Sequence, residues 1–276
     1  MSFHPPSLWS LIRIHLRATP TLARISFADL VAYRAEMVIW ILTSTLPLVM
    51  LGLWNAVVED GPVRGFDAQR IARYFAATLI VRQLTGAWLI WEMSSEIRTG
   101  ALSPKLLRPI HPLWTAAWSM AAALPFRLLI LAPLIGGILV WRPELWRTPS
   151  GFEFVAFCMS ITLAWCLSFL VQATFATLAF WLDQSVGIFG LWFGLYGIFS
   201  GYVAPLAMFP ESWAGVVRWL PFRAMLAIPV EILGGWADPQ AVQEGLALQM
   251  FWTVFFAGLT RVLWTRGVRR YGAYGA

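Results

Sequence analysis

Long apolar runs alternate with short charged segments along almost the whole chain. Six of these runs approach or exceed the ~20 apolar residues that a helix needs to cross a bilayer. They fall at roughly residues 37–58, 71–91, 113–141, 152–182, 186–206 and 241–264. The runs are continuous and do not alternate at period two, which argues against a β-barrel, whose strands face lipid and lumen in turn. The pattern predicts an all-α integral membrane protein: one domain at residues 36–264 with six transmembrane helices.

The segments that break the pattern carry the other elements. Residues 7–18, SLWSLIRIHLRA, put Leu8, Ile12 and Leu16 at near-helical spacing, with Arg13 and Arg17 on the other side. That helix is too short and too charged to span. It is expected to lie in the membrane interface, within a cytoplasmic segment at residues 1–35, and a frayed tail is the alternative. Residues 92–112, EMSSEIRTGALSPKLLRPIHP, form the one strongly polar stretch near the middle, with Glu92, Glu96, Arg98, Lys105 and Arg108. Ser103-Pro104 can cap and open a short helix, because Pro suits the first helical position, and Pro109 stops it. A short charged helix at the inner end of membrane spans is a surface for docking a soluble partner. Between the fifth and sixth runs, prolines at 205, 210, 221, 229 and 239 forbid a long straight helix. The apolar pieces there are too short to cross. Two short helices, about 211–219 and 223–233, are expected within an outer segment at residues 206–235, parted at Pro221 and dipping into the outer leaflet.

Composition sharpens this picture. Only 12% of the residues are charged, against ~25% in soluble domains, so the solvent of this chain is largely lipid. The net charge of +6 matters through its placement. Arg13, Arg17, Arg24 and Arg34 precede the first run; Arg98, Lys105 and Arg108 follow the second; Arg261, Arg266, Arg269 and Arg270 lie at the end, running into a basic tail at 265–276. With both termini cytoplasmic, six crossings place all three clusters inside, as the positive-inside rule prefers. Arginines that flank spans, and do not line one face of a soluble fold, argue against nucleic-acid binding. The start of the chain is broken by arginine before any long apolar run, so no cleavable signal peptide is expected. Cys158 and Cys166 share one run and are read as packing residues. Eight helical residues separate them by ~12 Å, too far for a disulfide.

Candidate functional residues are few. Arg82 and Arg127 lie inside the second and third runs. An arginine at that depth costs ~2.5–3.5 kcal/mol on insertion scales and so faces protein or water. Either a structural partner or a polar translocation surface would satisfy it. Gly187, Gly190, Gly194, Gly197 and Gly201 recur at steps of three and four in the fifth run, forming one helical stripe. Small residues at this spacing let helix backbones approach closely, either within the chain or at a subunit interface or cavity wall. Trp88, Trp91, Trp114, Trp141, Trp146 and Trp264 fall near run ends and fit an aromatic belt. There is no G-x-x-x-x-G-K-[ST] phosphate loop and no G-x-S-x-G elbow, and His4, His15 and His111 form no metal set. No catalytic residue, cofactor or metal is therefore expected on this chain, which is read as a transport subunit and not an enzyme.

Three segments together resemble the permease subunits of type-2 ABC transporters, mostly exporters, and in particular the bacterial ABC-2 family permeases. They are Glu96 to Leu113 (EIRTGALSPKLLRPIHPL); Ser200 to Pro210 (SGYVAPLAMFP) with Trp219 to Phe222 and Pro229 to Gly235; and the tail RRYGAYGA. The resemblance implies six spans in the bacterial cytoplasmic membrane, an interfacial helix before them, a coupling helix after the second and short outer helices before the sixth. It also implies a second permease chain, the same or homologous, and cytoplasmic ATPase subunits that hold ATP and Mg. Glu96, Arg98, Lys105 and Arg108 would then lie at or beside the ATPase contact. The competing expectations are a secondary transporter or channel working alone, and a membrane scaffold. No internal repeat of the kind common in secondary transporters is evident between 36–141 and 152–264.

Overall fold

The computed structural model describes residues 17–28, 46–145 and 147–271. Most of the expected interfacial helix at 7–18, the start of the first apolar run, Trp146 and the end of the basic tail lie outside the described residues. The described residues are helical throughout, apart from turns and one isolated bridge between Val63 and Phe66. In chain order the helices are α1 (17–28), α2 (Leu46–Val57), α3 (Ala68–Thr85), α4 (Leu89–Thr99), α5 (Ser103–Leu106), α6 (Pro112–Ala122) and α7 (Leu124–Trp141). They continue with α8 (Gly151–Thr177), α9 (Ser185–Phe199), α10 (Glu211–Val217), α11 (Pro221–Met225), α12 (Ala227–Gly234) and α13 (Pro239–Arg270).

Three helical stretches among the described residues are long and apolar enough to cross a membrane: Pro112–Gly137, Gly151–Phe180 and Pro239–Arg270. Helices α2 and α9 are shorter apolar helices. Local chemistry sets where the long helices begin. The Asp67 carboxylate accepts from the Arg70 N–H at 2.7 Å to open α3, and the Asp238 carboxylate accepts from the Ala241 N–H at 2.7 Å to open α13 behind Pro239. Ser150 and Glu153 form a reciprocal capping box at the start of α8. Helix α8 is the centre of the bundle. Gln249 donates to the Ser160 carbonyl and Thr260 to the Leu170 carbonyl, so α13 runs parallel to α8 and in register with it. Helices α3 and α4, α9 and α12 pack on other sides of α8. Ile71, Phe75, Leu89, Ile90, Leu167, Val171 and Leu226 are fully buried between these elements.

The structure departs from the sequence reading in four places. The second apolar run is two helices, since α3 stops at Thr85 and α4 starts at Leu89. The third run bends at Ala123, just before Pro125, between α6 and α7. The fifth run ends as a helix at Phe199, short of the expected 206. Gly201 there has φ +90, a conformation open to glycine, and its carbonyl accepts from the Tyr74 hydroxyl at 2.7 Å. Gly201 therefore belongs to the turn that ends α9 and not to the helical glycine stripe. Finally, residues 211–234 form three short helices where two were expected. Pro229 has no N–H for the Met225 carbonyl four residues back and its ring collides with it, so the chain breaks at Leu226 between α11 and α12.

Candidate functional site

Two places concentrate the polar chemistry, and the first is the hairpin at 92–112. Helix α4 runs to Thr99 and ends on Gly100, at φ +83. The Leu102 N–H then turns back to the Glu96 carbonyl at 3.1 Å, and the fully buried Leu102 side chain anchors the turn. Ser103 is the first residue of α5 and does not cap it; the residue before the helix is Leu102. The Lys105 ammonium and the Glu96 carboxylate pair with each other across the hairpin. Arg98 donates from Nη1 to the Asp183 carbonyl at 3.4 Å, and Ser185 donates to Ser94 at 3.2 Å. Both contacts tie α4 to the turn between α8 and α9. The His111 ring lies 4.8 Å from that of Trp264, which ties the far side of the hairpin to α13. Glu92 is exposed.

What the hairpin presents outward is therefore narrow. Leu107 is 89% exposed, and Pro104, Arg108 and Pro109 beside it are exposed as well. Of the four charged residues singled out from the sequence, Glu96, Arg98 and Lys105 hold the hairpin in shape, and Arg108 points away from the bundle surface with Leu107.

The second place is the break between α3 and α4. Backbone that leaves the helix at membrane depth must find partners within the protein or line a wet cavity. Arg127, 7% exposed, donates from Nη1 to the Gln83 carbonyl and the Gly86 carbonyl, each at 2.9 Å. The Gln172 amide spans the rest of the gap: Nε2 donates to the Ala87 carbonyl at 2.7 Å and Oε1 accepts from the Ile90 N–H at 3.2 Å. A Cβ at position 86 would lie 2.6 Å from Arg127 Nη1 and 3.3 Å from the Arg82 carbonyl, so Arg127 would have to leave its present position. The Trp88 ring covers the Arg127 guanidinium at 4.7 Å.

Beside the break lies a cavity of about 400 Å³. Arg82, Arg127 and Gln172 reach it, and Trp88, Trp192 and Tyr196 form much of its wall. The Arg82 guanidinium stands 5.8–6.0 Å from the rings of Tyr202, Tyr196 and Phe193. Its Nε is buried with no hydrogen-bond partner among the described residues. Sequence reasoning thus found both arginines, and the structure separates their roles: Arg127 closes a broken backbone, and Arg82 faces a cavity.

The family model described as ABC-2 family transporter protein matches residues 37–275, nearly the whole chain. The chain belongs to this family. No curated protein and no solved structure matches it. Membership makes this a membrane protein of the ABC-2 transporters, a family that in general works with ABC ATPase partners.

In this ABC-2 family protein the glycine face of α9 is open. A Cβ at Gly190, Gly194 or Gly197 would meet nothing within 4 Å, and at Gly187 only the Gln184 Oε1 at 3.6 Å. Leu191 and Ile198 on the same helix are exposed. The described residues of the chain itself therefore do not cover this face. The structure also brings forward Gln172 and Gly86, which the sequence reading passed over. Gln172 carried a signal, since a glutamine inside a long apolar run is out of place there, whereas Gly86 carried none by itself.

Proposed function

We propose that this chain is the permease subunit of an ATP-driven exporter in the bacterial cytoplasmic membrane, with both termini cytoplasmic. A second permease chain, the same or homologous, completes the translocation pathway, and the uncovered glycine face of α9 is the surface that meets it. ATP and Mg are held by separate ATPase subunits, in keeping with the lack of a phosphate loop here. The first apolar run, α3 with α4, α6 with α7, α8, α9 and α13 make the six crossings. Helices α10–α12 sit at the outer side without spanning.

The observation that carries this reading is the form of the 92–112 hairpin. It is bound internally to α4, to the α8–α9 turn and to α13, and it offers Leu107 and Arg108 to solvent. An apolar knob beside a cation on a stiff lever suits docking into a cleft of a soluble partner. Movement of that partner turns α4 as a rigid body. Helix α4 begins at the Gly86–Trp88 break, so the motion arrives at the cavity wall.

The test is association. Truncating one side of a buried charged contact costs about 2–5 kcal/mol. Arg108→Glu combined with Leu107→Asp is expected to abolish co-purification with a partner ABC ATPase while the protein stays monodisperse. Unchanged co-purification overturns the assignment of the hairpin.

One observation favours a second reading. A broken helix with a half-helix starting at a cavity is also how secondary transporters hold substrate. Transport driven by an ion gradient, with no ATPase present, would favour that class.

A further inference from the structure

We infer that the cavity between the α3–α4 break, α8 and α9 binds an anionic amphiphile, its acidic head group against Arg82 and Arg127 and its apolar body on the aromatic wall. As a statement about the exporter's cargo this rests on the permease reading above.

The charge balance comes first. Arg82 and Arg127 both line the cavity, and among the described residues lining it there is no carboxylate. Arg127 spends the two Nη1 hydrogen bonds on neutral carbonyls, which leaves its charge in place. Arg82 has ring faces around it and an unpartnered buried Nε. Two like charges in a low-dielectric setting repel each other, and buried charges are ordinarily paired. No counter-charge pairs with them among the described residues, and an anionic head group would supply one. The amino end of α4 adds to the same field, since α4 begins at Leu89 beside the cavity. A cationic ligand is disfavoured by every charged group present.

The wall supplies the second half of the specificity. Trp88, Phe189, Trp192, Tyr196 and Tyr202 form an aromatic wall, and besides the arginines the polar lining residues are the uncharged Gln83, Thr85, Ser168 and Gln172. A hydrated inorganic anion would lose its water against these rings with little return. An apolar body attached to the anion turns that cost into a gain. The rim points the same way, because Leu46, Trp91 and Phe193, all lining the cavity, are exposed at its edge. A volume of about 400 Å³ lies within the ~300–1,000 Å³ range of small-molecule sites. It takes a head group and the first part of a chain, with the remainder passing over the rim.

The experiment uses the full chain in phosphatidylcholine nanodiscs, with empty nanodiscs as background, and measures retention of radiolabelled dodecyl phosphate. Saturable binding is expected, weakened at least about tenfold by Arg82→Gln and largely kept by Arg82→Lys. Dodecyltrimethylammonium should not compete, and inorganic phosphate should compete only at far higher concentration. Retention equal to that of empty nanodiscs, native-like binding by Arg82→Gln, or competition by the cationic amphiphile overturns the inference. Equal competition by inorganic phosphate overturns the amphiphile and leaves an anion site alone. The three-probe comparison needs only the native protein, so it decides the matter even if Arg82→Gln fails to fold. No ATPase is present in this assay. Its failure leaves the hairpin's role standing, and failure of ATPase association leaves this site standing.

Discussion

Replacing Gln172 by Leu should unfold the protein from the α3–α4 break. The side chains are close in size, so the packing of α8 changes little and the lost interactions are polar. Gln172 donates to the Ala87 carbonyl at 2.7 Å and accepts from the Ile90 N–H at 3.2 Å, and leucine does neither. An unpaired buried backbone group costs about 1–3 kcal/mol, so the two together cost about 2–6 kcal/mol. Gln172 reaches the cavity, so entering water replaces part of the loss and draws the value to the lower half of that range. At roughly 2–4 °C per kcal/mol for chains of this order, the midpoint of thermal unfolding in mild detergent should fall by about 4–16 °C. The assay is loss of the monodisperse peak after heating, with Leu170→Met on the same helix as the control. A volume-conserving apolar change of that kind costs less than about 1.5 kcal/mol. A Gln172→Leu midpoint indistinguishable from that of Leu170→Met refutes the claim that this amide bridges the break.

Gly86→Ala drives a methyl group to within 2.6 Å of Arg127 Nη1, so it should lower the same midpoint by several degrees, whereas Gly136→Ala, with nothing within 4 Å, should not. Gly194→Leu should disrupt assembly of permease chains, read as the mass in native gels, far more than Leu191→Ile; equal assembly by both would show that the α9 face meets only lipid. Lys105→Ala removes a pair that is partly open to solvent and should cost less than about 1 kcal/mol of stability. It should weaken ATPase association less than Arg108→Glu, and the reverse order would mean that Lys105 itself meets the partner.

The helical membrane architecture was legible because apolar runs long enough to span are a strong, local signal, and the three long helices overlap three of the expected runs. The short helices after α9 were legible as a class, since proline spacing forbids a span there. Their number was not, because the split at Leu226 depends on which carbonyl Pro229 would strike. The α3–α4 break was hidden for a different reason. Gly86 alone is tolerated in a membrane helix, and the break exists only because Arg127, 41 residues later, and Gln172, 85 residues after Ala87, arrive to satisfy it. Long-range hydrogen bonds of this kind leave no periodicity to read. The hairpin's charges were visible in the sequence, but their division into internal ties and an exposed Leu107–Arg108 tip required the fold.

The central claim is that this chain is one part of an ATP-driven machine whose ATP chemistry lies on another chain. The most direct measurement is ATP hydrolysis in proteoliposomes by the pure chain, by the ABC ATPase that co-purifies with it, and by the two together, with a single cysteine at Leu107 tested for crosslinking to the ATPase. The account predicts no hydrolysis by the chain alone, an altered rate in the joint complex, and a crosslink from position 107 that Arg108→Glu removes. Hydrolysis by the pure chain at the rate of the complex, or a complex whose ATPase never crosslinks to position 107, would contradict it.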